Sequence, residues 1–126
     1  MAYTIYDYID RRGINVMQEW ARGLTKVQKA KLNQKVDLLS QHGDNLSTDL
    51  LSDTPSRQIK KLRVHGDVAF RPLLCRGPLD TSTEFTFLLG ATEKDRKLAP
   101  EDLRKAEDRR MEVNQDSTRR VKHERF

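Results

Sequence analysis

Alternating apolar and polar positions mark the strands of this chain, and apolar recurrence every three to four residues marks its helices. Tyr3–Ile9, rich in Tyr, Ile and Thr, reads as a strand, and Gly13 breaks it. Asn15 is placed to cap a short helix over Val16–Arg22, ended by Gly23. Thr25 caps a second helix reaching about Gln41, with Gln28 three residues on as in a capping box and His42-Gly43 as the stop. In that helix Leu32, Val36 and Leu39 form one stripe, while Val27, Ala30 and Leu38 lie on another side. A helix apolar on two sides is expected to pack against more than one element.

Asp44–Ser56 is polar and reads as a loop, with Leu46, Leu50 and Leu51 as a short turn against the core. A hairpin follows, R-Q-I-K-K-L-R-V-H and V-A-F-R-P-L-L-C joined at Gly66-Asp67. Leu62 and Val64 are expected inward, with Lys61, Arg63 and His65 on the other face. Ile59 breaks this register, which predicts a bulge or strand start near Lys60, and Pro72 predicts an edge or bulge beside Arg71. Thr83–Gly90 is the clearest strand, with Phe85, Phe87 and Leu89 on one face and Thr86 and Leu88 on the other. After the charged loop Thr92–Lys97, Pro100 opens a last helix with Glu101 and Asp102 at its positive end and a thin stripe of Leu103, Ala106 and Val113.

The order β-α-α-β-β-β-α predicts an α+β fold, a mostly antiparallel sheet with helices packed on one face and the other face open. Residues 1–113 are expected to form the domain, and residues 114–126 a polar tail that is frayed or continues the last helix.

The chain has 126 residues, enough for a single core. Its one cysteine, Cys75, sits in an apolar strand and cannot form an internal disulfide, so a packing role and a reducing cytoplasm are expected. No apolar run approaches the roughly 18 residues of a membrane span, and the first residues lack the pattern of a signal peptide.

Charge changes the picture most. The segment Arg57–Arg76 holds Arg57, Lys60, Lys61, Arg63, Arg71 and Arg76 against Asp67 alone, a balance of +5 that equals the net charge of the whole chain. With no other acid nearby in sequence, the cluster is expected to be unscreened, and Arg71 to be an exposed sheet residue. Such a surface is a place for an anion, and a polynucleotide carries the most phosphates. The mixed run Glu93, Lys94, Asp95, Arg96 and Lys97 follows the last strand and is expected beside the hairpin.

His65 lies within the basic cluster, His42 at a helix end and His123 in the tail. No spacing of His, Cys, Asp or Glu suggests a metal site, and no cofactor fingerprint, phosphate-binding loop or nucleophile elbow is present, so neither metal nor cofactor is expected.

The element order is similar to that of the RelE/ParE toxin superfamily. I-K-K-L-R-V-H-G-D-V-A-F-R-P-L-L resembles the K-x-L-x-E-L-R … G … Y-R-I-x-Y core of its HigB-like, phage-derived branch. E-F-T-F-L-L-G-A-T-E-K-D-R-K-L-A-P-E-D-L-R-K-A-E-D-R resembles the V-L-L-H-G-F-x-K-K-x-x-K-T-P-x-x-E-I-x-x-A-x-x-R block of that branch. The likeness covers roughly residues 59–110.

The resemblance implies a cytoplasmic type II toxin that cleaves mRNA, usually on the translating ribosome, without a metal. It also implies a partner antitoxin, a helix-turn-helix protein of the HigA kind. Arg63 matches the arginine of L-R, Arg71 that of Y-R, Lys94 and Lys97 the lysines of K-K-x-x-K with one extra residue before Pro100, and Lys60 or Lys61 the basic residue before L-R. On that footing Arg63, Arg71 and Lys94 hold the charge of the phosphorane, and His65 serves as general acid or base. Lys60, Lys61, Arg76, Arg96 and Lys97 are expected to bind RNA phosphates. The family's H-G-F is here Leu89-Gly90-Ala91 and its Y of Y-R is Phe70. The missing aromatic favours an alternative, a non-enzymatic member that inhibits DNA gyrase like ParE or binds RNA without cutting it.

Overall fold

A computed structural model describes residues 2–126. The elements in chain order are β1 (Thr4–Tyr8), α1 (Val16–Ala21), α2 (Lys26–His42), a 3-10 turn at Gly43–Asn45, β2 (Leu51–Asp53), β3 (Lys60–Leu62), β4 (Phe70–Arg76), β5 (Glu84–Thr92), α3 (Pro100–Gln115) and β6 (Arg120–Lys122). The expected β-α-α-β-β-β-α order is present, with two three-residue strands added. All strands form one sheet in the order β2-β3-β4-β5-β1-β6, antiparallel except for the β1–β5 pair.

Local chemistry sets the helices as the sequence predicts. Asn15 Oδ1 accepts from the backbone N–H of Met17 and Gln18 at 3.0 and 3.1 Å. Thr25 and Gln28 exchange both bonds of the capping box. Packing departs from expectation on three points.

Helices cover both faces of the sheet, not one. Met17 of α1 and Val36 and Leu39 of α2 pack with Ile5, Leu62, Leu74, Phe85 and Phe87. Ala106 and Val113 of α3 pack with Tyr8, Leu73, Cys75 and Leu88. Neighbours Leu73 and Leu74 thus turn to opposite layers, and β4 is buried from Phe70 to Cys75. On the second apolar side of α2, Val27 is 66% exposed and Ala30 is exposed, while Leu38 is half-buried.

β3 starts at Lys60 as expected, and the bulge lies in β5 rather than beside Pro72. Leu73 faces Leu89 and Leu74 faces Phe87, so Leu88 is the extra residue of a bulge. The alternation shifts there. Leu89 joins the α3 layer instead of that of Phe85 and Phe87, and Gly90 turns toward α1. Gly90 is required at that point, because a Cβ would lie 2.1 Å from the Trp20 indole. Pro72 lies in an interior strand, with the β3–β4 ladder stopping at the Lys61–Leu73 pair and resuming only as the Val64–Phe70 bridge.

The last residues are held in place. After α3 ends, β6 pairs with β1. The buried Arg120 lies 3.6 Å over the Tyr6 ring and 3.1 Å from Glu84. His123 Nδ1 bonds the fully buried Asp7 at 2.9 Å, and Phe126 packs against Trp20 and His123. Leu51, expected in a loop turn, belongs to the edge strand β2.

Candidate functional site

Strand pairing gathers the basic residues. Residues opposite one another in an antiparallel ladder share a face. Lys61 faces Leu73, Leu73 faces Leu89 and Arg71 faces Ala91. Glu93 lies two residues beyond Ala91, and its N–H donates to the Ala69 carbonyl at 3.0 Å, so the strand alternation carries it onto the same face.

Glu93 joins the cluster together. Lys61 Nζ donates to Glu93 Oε2 at 2.6 Å, and Arg71 Nε donates to Glu93 Oε1 at 2.6 Å. Arg71 Nη1 also donates to the carbonyls of Phe70 and Val64 at 2.7 and 3.2 Å, while Nη2 takes part in none of these bonds. The side chains of Glu93 and Arg71 are each 5% exposed. Burial works against the Glu93 carboxylate, but the bonds from Lys61 and Arg71 outweigh it and hold the group below its usual range. Arg71 is therefore a buried, partnered residue rather than an exposed one, and the cluster is screened by an acid from another strand.

These residues line a cleft of 520 Å3 together with Arg63, Ala69, Asp95 and Arg96. Arg63 Nε is buried with no hydrogen-bond partner. Arg96 is delivered by a two-residue turn. Lys94 and Lys97 exchange both backbone bonds at 3.0 Å, and Asp95 and Arg96 adopt φ of 52° and 63°. Such turns favour glycine or asparagine, so an arginine there is strained.

The other expected residues lie elsewhere. Lys94 and Lys97 are exposed at the base of that turn and do not line the cleft. Lys60 and Arg76 line a different cleft with Arg57 and Arg110, and they pair with Asp53 and Asp44. His65 lines a third cleft of 270 Å3 against Lys31 and Val27 of α2. The single basic segment thus divides into separate surfaces. Cys75 is buried and burial pushes its thiol up to about 12, consistent with packing rather than chemistry. Among the described residues no group of three His, Cys, Asp or Glu could hold a metal, and no helix is long and apolar enough to cross a membrane.

Comparison with protein families, with curated proteins and with solved structures finds no match to this chain.

Proposed function

We propose that the protein is a RelE/HigB-like toxin that cleaves mRNA without a metal, with the cleft between Lys61, Arg63, Arg71 and Arg96 as its phosphodiester site. The observation that carries this reading is the cleft itself: four cations, three of them partly or fully buried, one of these being Arg63 with a buried Nε that has no protein partner. A cluster of fixed donors is what a developing phosphorane charge requires. Arg63, just after β3, and Arg71 of β4, which match the two arginines of the resembling pattern, line one cleft.

At two further positions the chain departs from the pattern, which has Glu where this chain has Lys61 and Lys where it has Glu93, and in this chain those two side chains pair at 2.6 Å. The partner antitoxin follows from the resemblance and is part of the proposal.

The test is primer extension on a reporter mRNA incubated with the purified protein, with and without translating ribosomes. New 5′ ends that disappear with Arg63→Gln, at unchanged circular dichroism, are expected. One observation favours the non-enzymatic alternative: His65, the candidate proton carrier, lines a separate cleft. Absence of new ends under both conditions, with RNA still bound, would select that alternative and direct the next assay to DNA gyrase.

A further inference from the structure

We propose that Glu93 is the general base of this site, taking the proton of the attacking 2′-hydroxyl. The inference rests on the reading of the cleft as an RNA-cleaving site and names a residue that the resemblance does not supply, because the resembling pattern has a lysine there.

Geometry carries it. Glu93 is the carboxylate that meets the paired cations of the cleft, at 2.6 Å from both Lys61 Nζ and Arg71 Nε. Each oxygen accepts one of these bonds, and a carboxylate has about four lone-pair directions, so each keeps one for a further donor. The two bonds hold one carboxylate oxygen each, which is the positioning a general base needs. The charged groups around it are Lys61 and Arg63 from the β3 side, Arg71 from β4, and Asp95 and Arg96 from the turn. Apart from Asp95 these are cations, and Lys61 and Arg71 keep Glu93 ionised, a weaker proton acceptor than a free carboxylate whose role here rests on its position.

The step balances without a co-reactant. The 2′-O–H bond breaks and its proton passes to Glu93. The 2′-oxygen forms a bond to phosphorus, and the P–O5′ bond breaks with its electron pair going to O5′. O5′ takes a proton from solvent, and Glu93 later returns its own to solvent. The products are a 2′,3′-cyclic phosphate and a 5′-hydroxyl. Arg63, Arg71 and Arg96 hold the charge that builds on the non-bridging oxygens, and Lys61 acts as a positioning residue through Glu93.

The role separates binding from cleavage. Glu93→Gln keeps the shape and removes a negative charge from the cleft, so RNA affinity is expected to hold or rise while single-turnover cleavage falls by about 100-fold or more. A substrate with 2′-deoxyribose at the cleavage position is expected to bind and stay intact. Cleavage by wild type with a Glu93→Gln rate within about threefold would overturn Glu93 as base and leave the site reading standing. No cleavage by wild type, with or without ribosomes, would remove the reading and this proposal together. Should Glu93→Gln fail to fold, Lys61→Gln/Glu93→Gln removes the pair as a unit. Its rate is then compared with that of Lys61→Gln alone, a loss of about 100-fold being expected and an equal rate overturning the role.

Discussion

Lys61 Nζ lies 2.6 Å from Glu93 Oε2 although β4 runs between their strands. The contact passes over the strand that carries Arg71, so three elements close on one carboxylate. Breaking a buried ion pair by removing one partner strands the other charge, which costs more than the pair itself contributes. Charge reversal at either residue, Lys61→Glu or Glu93→Lys, is therefore expected to destabilise by about 3 kcal/mol. The double reversal is expected to recover only part of that loss, since it restores the pair with its signs exchanged but sets an ammonium against the Arg71 Nε that now donates to Glu93. Urea unfolding of the four proteins checks this, and additive losses would show that the two charges are not coupled.

Arg71 behaves differently from an exposed sheet arginine. Arg71→Ala leaves Glu93 with one cation and the Val64 carbonyl without its Arg71 donor, while the Phe70 carbonyl keeps the Val64 N–H, and is expected to cost about 3 kcal/mol. Loss of activity in that variant would report the fold as much as the site. Arg96→Ala is the cleaner probe. Its side chain is exposed on a turn, so stability should change by less than about 0.5 kcal/mol. If Arg96 contacts a phosphate, the slope of log affinity for single-stranded RNA against log salt should shrink by about 0.7. An unchanged slope would take Arg96 out of the interface.

Acid should weaken the cluster. The Glu93 carboxyl is held below its ordinary range by Lys61 and Arg71. A depressed carboxyl contributes stability in full above the unfolded value, about 4.3, and loses it as pH falls through the lower folded value. The stability gap between wild type and Glu93→Gln should be constant from pH 7 to about pH 5 and narrow below about pH 4. Chemical denaturation at four pH values measures it, and a gap that does not change with pH would show that the pairing of Glu93 does not depend on its charge.

The close approach of Trp20 to Gly90 gives a test of the bulge. Gly90→Ala places a methyl group into the indole and is expected to cost about 2 kcal/mol and shift the indole fluorescence. An unaffected melting point would mean that α1 does not press on β5 at this position.

How far the sequence predicts this molecule depends on whether burial follows hydrophobicity. The helices follow it, because Asn15, Thr25 and Gln28 mark their starts by local hydrogen bonding that needs no tertiary context. β4 and β5 follow it as well, except at the buried Arg71 and Thr86. The last strand does not, because Arg120 and His123 are buried by partners, Tyr6, Glu84 and Asp7, that lie more than 30 residues away. A charged side chain looks solvated until its partner is known. The candidate site shows the same divide. Lys61, Arg63, Arg71 and Arg96 stand out by charge, but Glu93 reads as one member of a mixed loop. Its place in the cleft depends on β5 continuing to Thr92, which extends the alternation of the strand to residue 93. The shift at Leu88 leaves no trace either, since an apolar residue in an apolar run gives no sign that it is one too many.

The sheet is closed at both sides by strands of three residues, Leu51–Asp53 and Arg120–Lys122, each carrying a charged residue at its end. A bare strand edge offers unpaired N–H and C=O groups to any similar chain, and a short charged one offers few. This molecule therefore gives a second copy little to extend. At high concentration its sheet should stop at six strands instead of growing from molecule to molecule into fibrous aggregates.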